Sequence, residues 1–149
     1  IHNRTPVTVR ESDDLALARQ AMLWAEIRHL PVLDDRDHLV GVITERDILK
    51  ELARQGKEAS RRRVADVMSR PPVVVTPHDS QAHAVGVILE RRVGCLPVVE
   101  RGELVGIVTR TDVLRSLEER DDERPAGPKL DAYMKRHPAT AAADDLLFD

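Results

Sequence analysis

Two segments of the chain share one chemical pattern: Gly41-Val42-Ile43-Thr44-Glu45-Arg46-Asp47 and Gly106-Ile107-Val108-Thr109-Arg110-Thr111-Asp112. In each, a glycine precedes two β-branched residues and Thr-x-x-Asp follows. At a strand-to-helix junction that spacing has two readings. One is a capping box, in which the threonine hydroxyl caps the helix and the aspartate reaches back to the N–H of the cap. The other is a binding site, because a helix start at a strand end presents N–H groups and partial positive charge to a phosphate or another polar group. The threonine can donate to an oxygen. The aspartate only accepts, so it repels phosphate but suits the two hydroxyls of a ribose. Asp47 and Asp112 therefore point to a sugar, and any phosphate needs cations from elsewhere. Beside the first motif Arg46, Arg28 and His29 are candidates. The matching columns of the second carry Thr111, Gly94 and Cys95, with Arg110 nearby, so the two prospective sites are chemically unequal.

Other chemistries find less support. The six histidines show no His-x-x-x-His or His-Glu-x-x-His spacing, which argues against a metal site. Cys95 lies beside a strand with no evident base, and burial explains it better than redox sensing. Trp24 reads as a packing or dimer-contact residue. No nucleophile elbow, Walker loop or Ser/His/Asp order is present, so we expect no enzyme. Only Trp24, Tyr133 and Phe148 are aromatic, too few for a base-stacking platform, and the net charge is −3. Both facts argue against nucleic acid. The run Arg61-Arg62-Arg63 reads as a solvated helix start, with a contact to nucleic acid or another anion as the alternative. A single cysteine suits a reducing cytoplasm. No apolar run approaches the ~20 residues of a membrane span, and no signal-peptide pattern opens the chain. A start at Ile1 suggests a piece of a longer protein.

The elements that must position these motifs come from an internal repeat. Shifted by 66 residues, Arg4-Thr5-Pro6-Val7-Thr8-Val9 falls on Arg70-Pro71-Pro72-Val73-Val74-Val75, and Leu30-Pro31-Val32 falls on Leu96-Pro97-Val98. One residue is lost in a turn, and at an offset of 65 the two glycine-to-aspartate motifs coincide. Residues 6–9 and 72–75 are β-branched runs after proline and predict strands. Ser12-Asp13-Asp14 and Asp79-Ser80 supply N-caps to helices of apolar period. Hairpins follow around Asp34–Asp37 and Glu100–Gly102, and a second helix closes each unit. The order is β-α-β-β-α, twice. The resulting organisation is a first unit over 1–54, a linker and leader helix over 55–67, a second unit over 68–120, and a linker and tail over 121–149. In the tail, Met134-Lys135-Arg136-His137-Pro138 lies 66 residues beyond Met68-Ser69-Arg70-Pro71-Pro72. It reads either as a truncated third opening or as an ordinary packing helix with a frayed end.

This doubled pattern resembles a cystathionine-β-synthase (CBS) domain pair, or Bateman module. The matching residues are Pro6 to Val9, His29 to Asp34 and Gly41 to Asp47, then Pro72 to Val75, Cys95 to Val99 and Gly106 to Asp112. Val64-Ala65-Asp66-Val67-Met68 resembles the leader that often precedes such a domain. The resemblance implies an α+β fold of tandem β-α-β-β-α repeats packed as a pseudo-twofold pair, with a cleft between them. It implies a regulatory module that needs no cofactor and binds an adenosine-containing ligand: AMP, ADP, ATP or S-adenosylmethionine. By resemblance, Thr44 and Asp47, and Thr109 and Asp112, contact ribose and phosphate. Arg28 to Pro31 and Gly94 to Pro97 line the base or phosphate, and the strands at Val7 and Val73 add backbone contacts. Arg46 and Arg110 complete the candidate set. The expected partners are the nucleotide, a second copy in a homodimer, and a regulated domain or protein outside this chain. A ligand-free dimerisation module is the alternative.

Overall fold

The computed structural model describes residues 6–119. The tail, read above as a third opening or a frayed end, lies outside the described residues. The first copy runs β1 (Val9–Arg10), α1 (Leu15–Ala25), β2 (His29–Leu33), β3 (Leu39–Thr44) and α2 (Glu45–Gln55). A 3-10 turn over Gly56–Arg61 and the one-turn α3 (Val64–Val67) follow. The second copy supplies α4 (Gln81–Arg91), β4 (Cys95–Glu100), β5 (Glu103–Thr109) and α5 (Arg110–Glu119). Among the described residues no helix is long and apolar enough to cross a membrane.

The caps fall where the sequence puts them. Asp14 accepts from the Leu17 N–H at 2.9 Å, and Ser80 accepts from the His83 N–H at 3.0 Å. The two helices so capped, α1 and α4, end on a left-handed residue, Glu26 at φ 58° and Arg92 at φ 55°. In the sheets, β1 pairs in parallel with β2, and β2 pairs antiparallel with β3. β4 and β5 form the matching hairpin.

The first strand of each copy is shorter than expected. Only Val9–Arg10 forms a strand, and in the second copy only Val75 bridges Val98. Proline is the cause. The Pro97 carbonyl accepts from Val75 N–H at 3.1 Å, but the ring nitrogen beside it has no hydrogen for the next rung. Pro31 occupies the same place opposite β1.

Each copy builds its own aliphatic core between sheet and helices. Leu15, Leu30, Val32, Ile43 and Ile48 fill the first, and Val75, Ile88, Leu96, Val98 and Val113 fill the second. The leader read as preceding the second copy packs on the first: Val64 and Met68 are buried in the first core. Val64 N–H donates to the Asp13 carbonyl at 2.8 Å, and Ser69 and Val42 exchange both backbone bonds at 2.9 and 3.1 Å. This pairing explains the glycine of the first motif. A Cβ on Gly41 would lie 2.7 Å from the Ser69 carbonyl oxygen and 2.8 Å from Met68 Sδ. Gly41→Ala must push a backbone segment off the sheet edge, so it should destabilise by about 1–3 kcal/mol in denaturant melts. A loss below a few tenths would show that Ser69 moves freely.

Arg61 and Arg63 are exposed, as a solvated run would be, but Arg62 is drawn into the fold. Arg62 pairs with Glu51, a carboxylate only 5% exposed, which also accepts from Gln55 Nε2 at 2.7 Å and Arg54 Nη1 at 3.2 Å. Arg63 donates to the Ser12 carbonyl. Two of the three arginines therefore tie the linker to the first copy.

Candidate functional site

The register of each hairpin sets each Thr-x-x-Asp beside the start of the neighbouring strand. His29 pairs with Thr44, and Cys95 with Thr109. Thr44 and Asp47 form a complete capping box: Thr44 Oγ1 accepts from Asp47 N–H at 3.1 Å, and Asp47 Oδ2 accepts from Thr44 N–H at 2.9 Å. Thr109 Oγ1 likewise accepts from Asp112 N–H at 3.0 Å. Capping leaves binding capacity in reserve, since the threonine hydroxyl can still donate and Asp47 keeps Oδ1 as an acceptor.

The expectation of free N–H groups at these helix starts needs correction. Glu45 N–H donates to the Arg28 carbonyl and Arg110 N–H to the Gly94 carbonyl, both at 2.9 Å. Asp47 and Asp112 N–H are taken by the threonines. The strand-start pairing carries the preceding carbonyl onto the helix, so two of the first three donors are used in each copy. An anion here must be held mainly by side chains.

A cavity of about 330 Å³ opens over Thr44 and draws its walls from both copies. His29, Val42, Thr44, Arg46, Asp47 and Ser69 form one side. Pro71, Pro72, Val73, Arg92, Val93, Gly94, Cys95 and Arg110 form the other. Of the residues singled out in the sequence, Thr44, Arg46, Asp47, His29, Gly94, Val73 and Arg110 come together here. The others lie elsewhere. Arg28 is exposed, 3.9 Å from Glu45. Pro31, Pro97 and Val7 are buried in the sheets and first core. Thr109 and Asp112 do not line this cavity. Arg92, Val93, Ser69 and Pro71 were not among the sequence candidates, because matching columns of the repeat does not show which residues of one copy face the other. Apart from His29 and Cys95, which share a column, the cavity joins residues from unlike columns of the two copies.

His29 stands where the copies meet. A Cβ on Gly94 would lie 2.8 Å from His29 Nε2, so the ring packs directly over the glycine and a side chain there would make it shift. Burial lowers the His29 pKa from its ordinary 6.5, with Arg110 and Arg28 adding to the effect and Asp112 and Asp47 opposing it. Between the folded and unfolded pKa values the unfolded chain binds the extra proton. Stability contributed by neutral His29 is therefore complete above pH 6.5 and falls as pH drops below it. His29→Gln should flatten the loss of melting temperature between about pH 7.5 and about pH 5.5; slopes equal to wild type would contradict this assignment. Cys95 is also at the cavity, but burial pushes its thiol up to about 12. It is therefore protonated at neutral pH and is no nucleophile.

The geometry has counterparts in known proteins. The family model described as "CBS domain" matches twice, over residues 1–54 and 64–119. The chain is 30% identical over 111 residues to the Uncharacterized protein MJ1225 of Methanocaldococcus jannaschii, covering 74% of this chain and 39% of that protein. It is 35% identical over 113 residues to inosine-5'-monophosphate dehydrogenase of Mycobacterium bovis, covering 74% of this chain and 20% of that enzyme. Among solved structures, the CBS domain pair of protein MJ0100 in complex with 5-methylthioadenosine and S-adenosyl-L-methionine superposes with a TM-score of 0.68 at 27% identity, covering 76% of this chain and 88% of that one. CBSX2 in complex with AMP superposes with a TM-score of 0.64 at 31% identity, over the same shares. The doubled β-α-β-β-α order, the paired Thr-x-x-Asp motifs and these matches agree: the chain belongs to the CBS-domain family and carries two copies of the domain as a Bateman module.

Proposed function

We propose that the chain is a regulatory ligand-sensing module, without catalytic chemistry of its own, that binds an adenosine-containing ligand between its two copies. One observation carries this reading: the cavity over the Thr44–Asp47 capping box takes its walls from both copies. Asp47 Oδ1 and the Thr44 hydroxyl suit ribose and phosphate oxygens. Val42, Pro72, Val73 and Val93 offer an apolar slot for a base, in a chain almost without aromatics. A ligand held from both sides binds best to one relative placement of the copies, which is the requirement for passing a signal onward. The AMP and S-adenosylmethionine complexes of similar domain pairs support the ligand class. Because the chain spans only 39% and 20% of the two curated relatives, what it regulates is proposed only as a domain or partner beyond these copies, in a reducing cytoplasm. Calorimetry against AMP, ADP, ATP and S-adenosylmethionine tests the reading. We expect saturable heat and a raised melting temperature with at least one, and silence with all four would overturn it.

A second reading, a homodimerisation module, rests on a separate observation. Large apolar side chains are exposed at matching positions of the two copies: Leu23 and Leu89, and Leu49 and Leu114, each more than half exposed, with Trp24 beside the first pair. Next to Leu23, Leu15, Ile48 and Leu52 line a groove of about 300 Å³ between α1 and α2. Such faces suit an isologous interface, and a dimer mass in light scattering that persists on dilution would support it. The nucleic-acid reading loses its footing, because Arg62 and Arg63 are engaged within the fold.

A further inference from the structure

The repeat lets each wall of the cavity be compared with its counterpart in the other half. Arg92 corresponds to Glu26, and both adopt the same left-handed backbone, φ 55° and 58°. Arg110 corresponds to Glu45, and Arg46 to Thr111. The cavity over Thr44 thus gathers three guanidiniums against the single carboxylate of Asp47. The described counterparts in the other half reverse that balance: the columns of Arg92, Arg110 and Asp47 carry Glu26, Glu45 and Asp112, and their one arginine is Arg28, 3.9 Å from Glu45. The Thr44 side therefore carries the charge that attracts a polyanion, and its counterpart columns carry the opposite sign.

Resting on the adenosine reading above, we propose that the chain binds one adenosine diphosphate or triphosphate, only in the Thr44 cavity, with Arg46, Arg92 and Arg110 holding the phosphates. The helix start lends little to the phosphates, since its donors at Glu45 and Asp47 are already used. Burial keeps His29 neutral above its ordinary titration range, so the arginines carry the positive charge. Guanidinium forks match phosphate oxygens and form charge-assisted bonds. S-adenosylmethionine has no phosphate and carries a sulfonium cation, which the three arginines repel.

Calorimetry with ATP, ADP, AMP, adenosine and S-adenosylmethionine in about 0.15 M salt tests this. We expect one equivalent per chain, and ATP or ADP at least about tenfold tighter than AMP. The double variant Arg92→Glu with Arg110→Glu installs the counterpart residues. Glu26 already shows that glutamate takes this backbone, and circular dichroism would check the fold. ATP affinity should fall by about a hundredfold while adenosine affinity stays. Two equivalents per chain, S-adenosylmethionine as tight as ADP, or undiminished ATP binding by the double variant would each overturn this inference and leave the adenosine reading standing. Silence with every adenosine compound would overturn both.

Discussion

Asp47→Ala is expected to lower nucleotide affinity by about a hundredfold and folding stability by about 1 kcal/mol. The first figure follows from removing the acceptor of two ribose hydroxyls. Hydrogen bonds to a charged group contribute ~1.5–3 kcal/mol each, and 1.4 kcal/mol is tenfold in affinity. The second follows from the capping box, whose Asp47 Oδ2 accepts from Thr44 N–H at 2.9 Å. The two losses separate in Asp47→Asn, whose amide oxygen still caps but carries no charge. That variant should melt near wild type and bind about tenfold more weakly. Calorimetry and thermal melts on the same samples read both quantities. Wild-type affinity in Asp47→Ala would place the ribose elsewhere.

Arg62→Ala should lower folding stability by about 3–5 kcal/mol. Glu51 is 5% exposed, and without Arg62 its carboxylate keeps only the 3.2 Å contact to exposed Arg54 and the Gln55 amide. Removing one member of a buried pair leaves the other charge desolvated and under-compensated. For a chain of this size the melting temperature should fall by roughly 10 °C. Adding Glu51→Leu to Arg62→Ala removes the stranded charge and should recover most of the loss. A double variant no more stable than Arg62→Ala alone would show that the arginine acts by packing.

How far these features were legible in the sequence depends on how local they are. The N-caps at Asp14 and Ser80, the hairpins, the Thr44–Asp47 capping box and the Thr109 cap need only a few neighbouring residues, and each stands where its spacing indicates. The strands after Pro6 and Pro72 are shorter than their β-branched runs indicate, because the limiting proline lies in the partner strand rather than in the run itself. Arg62 departs from the surface reading of its run for a related reason: Glu51 lies eleven residues before it, a pairing formed only when the linker folds back. Gly41 carries a clear motif signal, but its physical cause, a carbonyl 2.7 Å from where its Cβ would be, belongs to Ser69.

The sequence by itself therefore determined the family, the doubled unit and the Thr-x-x-Asp helix starts, because periodicity and capping act over short stretches of chain. Only the tertiary structure decided which half supplies which wall. A repeat imposes the same local geometry on both copies, but packing them against each other sets Thr44 opposite Arg92 and Arg110 while Arg28 turns outward to Glu45. The charge of a site built across two copies is a sum over residues distant in sequence, and it exists only once the copies have met.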